Sequence, residues 1–120
     1  MDVNDITYQI NGAVFAVSKE LGSGFLEKVY ENALVVELKR RGLKAESQVP
    51  ITVRYLDAVV GEYFADVLVE DQVIVELKTV DALRKIHEAQ LLHYLKATGY
   101  KVGLLINFGV EKAETKRFIL

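Results

Sequence analysis

The spacing of apolar residues changes several times along the chain, and these changes restrict its fold more than any other feature. Residues 4–21 and 25–41 carry apolar side chains every three to four positions, which predicts two helices separated by a glycine-containing loop at 22–24. Strand-like spacing predicts strands at 48–55, 62–70 and 73–79, while residues 57–61 fit either a turn or a strand start. Helical spacing returns at 83–98, followed by an apolar strand at 101–108 and a short strand at 115–119. The predicted order is α-α-β-β-β-α-β-(β), an α/β fold.

The two N-terminal helices carry recognisable end signals and apolar stripes. Asp2 or Asn4 is suited to cap the first helix, and Gly42 to end the second. Two stripes run along the second helix. The one expected to form its apolar face consists of Leu26, Val29, Ala33 and Val36, and the one that extends it sideways consists of Tyr30, Leu34 and Leu38.

Length and composition limit the classes of site. With 120 residues, half of them hydrophobic, we expect one domain over residues 1–120, with some apolar surface left for a partner such as a second copy in a homodimer. The absence of cysteine excludes disulfides, thiolate metal sites and cysteine nucleophiles. Apolar runs are too short for a membrane span, and the acidic N-terminus does not resemble a signal peptide, so a cytoplasmic location is expected. The net charge of -2 argues mildly against a protein that binds nucleic acid by charge alone.

Two carboxylates and a lysine are expected to meet at the predicted hairpin of residues 62–79. Glu76 and Lys78 alternate with apolar residues, so they point to one face of their strand. Folding the chain about Asp71-Gln72 brings Asp66 level with Glu76 to within about one residue. Two carboxylates, with the carbonyl of Leu77 and waters, can hold Mg²⁺ or Mn²⁺.

Each candidate site residue, on the hairpin or on a helix, also has a purely structural interpretation. Glu-x-Lys on a strand often marks a solvated face with a weak ion pair, although the apolar neighbours of Asp66 and Glu76 argue against a surface position. Glu27 continues an apolar helix face, or simply favours the positive end of the helix dipole. Gln90 and Tyr94, four positions apart, lie on one helix face. They form either part of a polar site or an ordinary packing contact between helix residues.

Taken together, these blocks resemble the GxxExxY protein family, which is assigned to the PD-(D/E)XK nuclease superfamily. The resemblance follows the chain in order and covers nearly all of it. It is carried by Gly24 to Leu34 (GFLEKVYENAL), Phe64-Ala65-Asp66, Glu76-Leu77-Lys78, Gln90 to Leu95 (QLLHYL) and Gly103 to Gly109 (GLLINFG). One departure is Ala65, which stands where the superfamily's name has proline.

The resemblance implies a restriction-endonuclease-like core (αβββαβ) with a central mixed sheet flanked by helices and an extra N-terminal helix. It implies that Asp66 and Glu76 bind the metal and that Lys78 assists catalysis. Glu27 corresponds to the helix-borne acidic residue, and Gln90 and Tyr94 to the Q-x-x-x-Y element. Tyr30, Gln90 and Tyr94 are expected to contact the substrate.

Three functions follow as hypotheses. The first is a Mg²⁺- or Mn²⁺-dependent nuclease that hydrolyses phosphodiester bonds in DNA or RNA. The second is a catalytically silent nuclease-fold module that binds nucleic acid or a protein partner, which the small size and negative net charge favour. In the third, Glu76 and Lys78 are simply paired and serve the structure alone.

Overall fold

The computed structural model describes all of residues 1–120, and its elements follow the predicted order. The helices are α1 (Val3–Leu21), α2 (Glu27–Arg40) and α3 (Lys85–Thr98). The strands are β1 (Ala45–Tyr55), β2 (Ala58–Val69), β3 (Val73–Lys78), β4 (Val102–Asn107) and β5 (Glu114–Ile119). β1 begins at Ala45 rather than Gln48, and most of the ambiguous segment 57–61 belongs to β2.

The five strands form one mixed sheet in the order β1-β2-β3-β4-β5. Neighbouring strands are antiparallel except β3 and β4, which are parallel and are connected by α3. A parallel pair needs such a crossover because the chain must return to the same end of the sheet. This arrangement is the mixed, helix-flanked sheet that the resemblance implied.

The helices cover opposite faces of the sheet. α1 and α2 bury the larger apolar core against one face, and α3 buries a smaller core against the other. Gly103 on β4 allows the close approach of α3, since a Cβ there would lie 2.8 Å from a methyl carbon of Leu91. None of the three helices is long and apolar enough to cross a membrane.

The α1 cap agrees with the sequence, whereas the face that α2 buries does not. Asp2 caps α1 by accepting the backbone N–H groups of Asn4 and Asp5 at 2.7 and 3.1 Å. The stripe expected to form the apolar face of α2 points largely to solvent, with Leu26 81% and Val36 68% exposed. The sheet instead covers the stripe expected at its side, formed by Tyr30, Leu34 and Leu38, all fully buried.

Strand β2 leaves β3 at Asp66. The pairing of β2 with β3 is confined to Val67–Val69, whereas its pairing with β1 continues to the far end of the hairpin. The side chains also change face here, because Ala65 packs in the α3 core and Val67 in the α1–α2 core although they are two positions apart. Gln48, opposite Asp66 on β1, has a left-handed backbone with φ of 55°. The sheet is therefore open between β2 and β3 beside Asp66.

Candidate active site

Asp66 and Glu76 lie next to each other where β2 and β3 part. The backbone N–H of Asp66 donates to Glu76 Oε1 at 3.1 Å, and the backbone N–H of Leu77 donates to Asp66 Oδ2 at 2.8 Å. The two carboxylates therefore take the place of hydrogen bonds between the strands. The pairing of Val67 with Val75, continued by one residue, sets Asp66 opposite Glu76, as the predicted hairpin requires.

Both carboxylates are held in a low-polarity environment. Burial raises the pKa of Glu76 to about 8, and the nearby negative charge of Asp66 acts in the same direction. Burial also raises the pKa of Asp66, and the charge of Glu31 adds to the effect, although the N–H of Leu77 opposes it. A buried carboxylate beside a half-buried one is stabilised either by a proton or by a cation. The site therefore has the donor chemistry of a divalent-metal site.

The donor set also limits how a metal could be held. The structure contains no cluster of three or more His, Asp or Glu side chains that could bind a metal ion. A cation here would have Asp66 and Glu76 as side-chain ligands, with backbone carbonyl groups and water completing an oxygen shell. The carbonyl of Leu77 stays the predicted backbone ligand.

Lys78 faces polar groups of α3 rather than a carboxylate. Its Nζ donates to Gln90 Oε1 at 3.3 Å, and Gln90 Nε2 donates to the Tyr94 hydroxyl at 3.2 Å. None of the salt bridges in the structure involves Lys78, so it forms no direct pair with Glu76, although its charge lowers the pKa of that carboxyl. Burial and the negative charges of Glu76 and Asp66 raise the pKa of Tyr94. The three predicted residues from β3 and α3 therefore form one connected polar row beside the carboxylates.

Glu27 is the first residue of α2 and belongs to the same electrostatic cluster. Burial raises the pKa of its carboxyl, the charge of Lys78 lowers it, and the charges of Asp66 and Glu31 raise it. The structure thus brings Glu27 near the other predicted site residues from a different element. Its exact role stays a prediction.

Two residues that sequence reasoning did not single out join the site. Glu31 is only 4% exposed, and its Oε1 accepts the side-chain N–H of Gln48 at 2.7 Å. Its other oxygen is paired with Lys28. The Gln48 side chain also lowers the pKa of the Asp66 carboxyl. The available signal was a second acidic residue four positions after Glu27, on the helix face that also holds Leu34 and Leu38.

Tyr30 has a different place from the one expected of a substrate contact. It is fully buried, its hydroxyl donates to the carbonyl of Gly22 at 2.6 Å, and it accepts the N–H of Phe25 at 3.2 Å. Its ring stacks on Phe108, with the ring centres 4.6 Å apart. Tyr30 therefore fixes the loop between α1 and α2, and through it the start of the helix that carries Glu27.

The segment that follows β3 is fixed by Asn107. This fully buried side chain accepts the N–H groups of Val80 and Gly109 at 3.0 and 2.9 Å and donates to the carbonyl of Val80 at 2.9 Å. Gly109 has no room for a side chain, because a Cβ would lie 2.4 Å from the Val80 nitrogen. These contacts explain structurally why β4 ends in asparagine and why glycine follows two positions later, next to the strand that carries Lys78.

A cleft of about 1250 Å³ lies beside the carboxylates, between β1 and α3. Lys78, Gln90 and Tyr94 form part of its wall. Its other ionisable wall residues are Arg54, Tyr63, His87, His93 and Lys96, and no Asp or Glu lines it. The cleft is therefore a basic region adjoining an acidic site.

The mixed sheet and its flanking helices form a nuclease-like fold, and comparison with known proteins gives the family. The sequence profile of the PD-(D/E)XK nuclease superfamily matches residues 4–118, so the chain belongs to this superfamily. Members of the superfamily generally use divalent metal ions. No curated protein shows significant sequence similarity to the chain.

A solved structure supports the fold. The crystal structure of SSO0001 is similar to this chain, with a TM-score of 0.61 and 21% sequence identity. The match covers 77% of this chain and 48% of the other, so the chain spans about half the length of that protein. At this identity the likeness shows the fold alone. Assignment to the GxxExxY family within the superfamily stays a prediction.

Proposed function

We propose that the protein is a Mg²⁺- or Mn²⁺-dependent nuclease that hydrolyses phosphodiester bonds in DNA or RNA. The observation that carries the proposal is the pair of hydrogen bonds by which the backbone N–H groups of Asp66 and Leu77 hold the Glu76 and Asp66 carboxylates where β2 and β3 part. Because no lysine or arginine forms a salt bridge with either of them, their charge is left for a divalent cation to balance when both are ionised. Superfamily membership supports the same chemistry.

The proposed roles follow from the position of each side chain. Asp66 and Glu76, with the carbonyl of Leu77, hold the cation, which when bound supplies positive charge for phosphate and water activation. Lys78 Nζ, which is not neutralised by a carboxylate, orients the attacking water or stabilises negative charge on the phosphate. Gln90 keeps Lys78 and Tyr94 in place and, with Tyr94, positions the strand in the cleft. Glu27 assists from the start of α2.

A second function is favoured by a separate observation. Leu26, at the N-cap of α2, and Val29 and Val36 on the helix form an exposed apolar stripe, and the net charge of the chain is -2. These features suit a catalytically silent nuclease-fold module with a protein partner. A homodimer stays a prediction, which light scattering of the purified chain in solution tests directly.

The experiment that separates the two functions is a cleavage screen. Single-stranded and double-stranded DNA and RNA are each incubated with the full chain and Mg²⁺ or Mn²⁺. We expect cleavage by the native chain, and loss of at least about a hundredfold in Asp66→Ala, Glu76→Ala and Lys78→Ala. Lys39→Ala is the matched control, because Lys39 is exposed in the last turn of α2, about 18 Å along that helix from Glu27.

The outcomes distinguish the proposals. Cleavage that persists equally in all three site variants would come from a contaminant or another site, and the nuclease proposal would fail. Absence of cleavage on every substrate, with Mg²⁺ and Mn²⁺ both failing to bind in calorimetry, would leave the silent module. Circular dichroism of each variant shows whether a loss of activity comes from unfolding.

A further inference from the structure

Charge is distributed unevenly around the candidate site. The chain contains more acidic than basic residues, 17 Asp and Glu against 15 Lys and Arg. The sixteen residues that line the cleft nevertheless include Arg54, Lys78 and Lys96, and no carboxylate. Arg54 lies on the β1–β2 hairpin and Lys96 on α3, so cations approach the cleft from both of its walls. Such a concave cationic surface is suited to a polyanion.

The same cleft offers an aromatic surface. Tyr63 on β2 is 49% exposed, lines the cleft and lies 5.8 Å from the ring of Tyr94, measured between ring centres. Ile86, at the start of α3, is 67% exposed on the same cleft. An exposed aromatic ring among cations is the combination that stacks an unpaired base while the backbone is held by charge.

We propose that the cleft between β1 and α3 binds a single-stranded polynucleotide, DNA or RNA. Arg54 and Lys96 contact its phosphates, and Tyr63 stacks on one of its bases. Lys78, at the inner end of this surface, leads the strand to Asp66 and Glu76. The inference rests on the proposed nuclease function and names its substrate class.

The preference for a single-stranded over a double-stranded polynucleotide follows from the exposed position of the Tyr63 ring. The bases of an intact duplex are stacked on one another and paired, so their faces are not available to Tyr63. In a single strand each base has a free face for an aromatic ring, and the stacking is tolerant of sequence. The α3 wall of the cleft, from Ile86 to Thr98, spans about 18 Å along the helix, which is room for a few nucleotides.

Binding is measured without turnover, by fluorescence polarisation of the full chain in EDTA. The probes are oligothymidylate and oligouridylate of roughly 15 nucleotides and a DNA duplex of the same length. We expect at least one of the single strands to bind about tenfold more tightly than the duplex. Arg54→Ala and Lys96→Ala should each weaken binding of that strand severalfold and reduce its salt dependence. Tyr63→Ala should weaken it severalfold, whereas Tyr63→Phe keeps the ring and the affinity.

Lys39→Ala is again the control and should bind like the native chain. Tighter binding of the duplex, or native affinity for single strands in all three of Arg54→Ala, Lys96→Ala and Tyr63→Ala, would overturn the inference. Thermal unfolding of each variant verifies that the fold is intact. Because the assay contains no metal, it is independent of catalysis. Specific single-strand binding without any cleavage would contradict the nuclease function but not this cleft, whereas cleavage unaffected by the cleft variants would contradict only the cleft.

Discussion

The backbone N–H of Asp66 donates to Glu76 Oε1 at 3.1 Å, so one proposed metal ligand also holds the strand that carries the other. A glutamine at position 76 could accept the same hydrogen bond through its amide oxygen but carries no charge. The contact therefore permits the charge at this position to be removed while the geometry is kept.

Glu76→Gln should stabilise the metal-free protein increasingly as the pH rises from about 5 to about 8. Since the pKa of Glu76 is raised to about 8, the folded protein keeps this proton while the unfolded chain releases it near the ordinary value of 4.5. The folded state thus binds more protons over this interval, and the native protein loses stability as the pH rises. The amide variant avoids this loss, so the difference should grow to on the order of 1–3 kcal/mol.

Urea unfolding at a series of pH values in EDTA measures this difference. Glu62→Gln, an exposed residue of β2, gives the reference effect of an amide substitution. A constant difference between native protein and Glu76→Gln over this pH range would contradict the raised pKa of Glu76. With Mg²⁺ or Mn²⁺ added, the native protein should regain stability and Glu76→Gln should regain less.

Gln48→Ala should weaken metal binding as well as stability. The variant removes the 2.7 Å hydrogen bond to Glu31, so the buried Glu31 loses a donor, and it removes the side-chain amide that lowers the pKa of Asp66. We expect a loss of about 1 kcal/mol of unfolding free energy and a several-fold increase in the metal concentration that gives half-maximal cleavage.

Gln72→Ala provides the matched comparison, because Gln72 lies at the β2–β3 turn, where its side-chain amide donates a hydrogen bond to the carbonyl of Met1. A purely structural role of Gln48 would lower stability but leave the metal requirement of the folded enzyme unchanged. That result would remove Gln48 from the site.

Tyr30→Phe should reduce stability with little effect on substrate binding. The variant keeps the ring that stacks on Phe108 but loses the hydroxyl that joins Gly22 and Phe25. Loss of two hydrogen bonds in a partly buried loop should cost about 1–2 kcal/mol, measured by urea unfolding. A large rise in KM for the substrate, with stability unchanged, would restore the expected substrate contact.

A pair of substitutions on α2 tests which of its apolar stripes faces the sheet. Leu34 is fully buried whereas Val36 is 68% exposed. Leu34→Ala should therefore cost about 2–5 kcal/mol of unfolding free energy. Val36→Ala should change it by no more than about 0.5 kcal/mol. Similar losses in both variants would show that the second stripe is covered, for example by another copy of the chain.

The sequence by itself determined the order of the elements and the meeting of Asp66 with Glu76. Both depend on local information, because the apolar period specifies helix or strand and a short hairpin fixes which residues lie opposite each other. The i,i+4 spacing likewise placed Gln90 and Tyr94 on one helix face, where a hydrogen bond joins them. Superfamily membership was reached from the motifs, and the profile match confirmed it.

Only the tertiary structure decided what depends on packing between distant segments. Two stripes of α2 are apolar, and the one with Leu34, not the one with Val36, is buried against the sheet. Helical periodicity alone does not determine which stripe is buried. Glu31 and Gln48 meet across 17 positions, and Gln48 has a left-handed backbone that its sequence does not indicate. The basic cleft likewise combines Arg54 of the hairpin with Lys96 of α3. The spacing of apolar residues determines each helix or strand, whereas the site consists of side chains that come together only in the assembled fold.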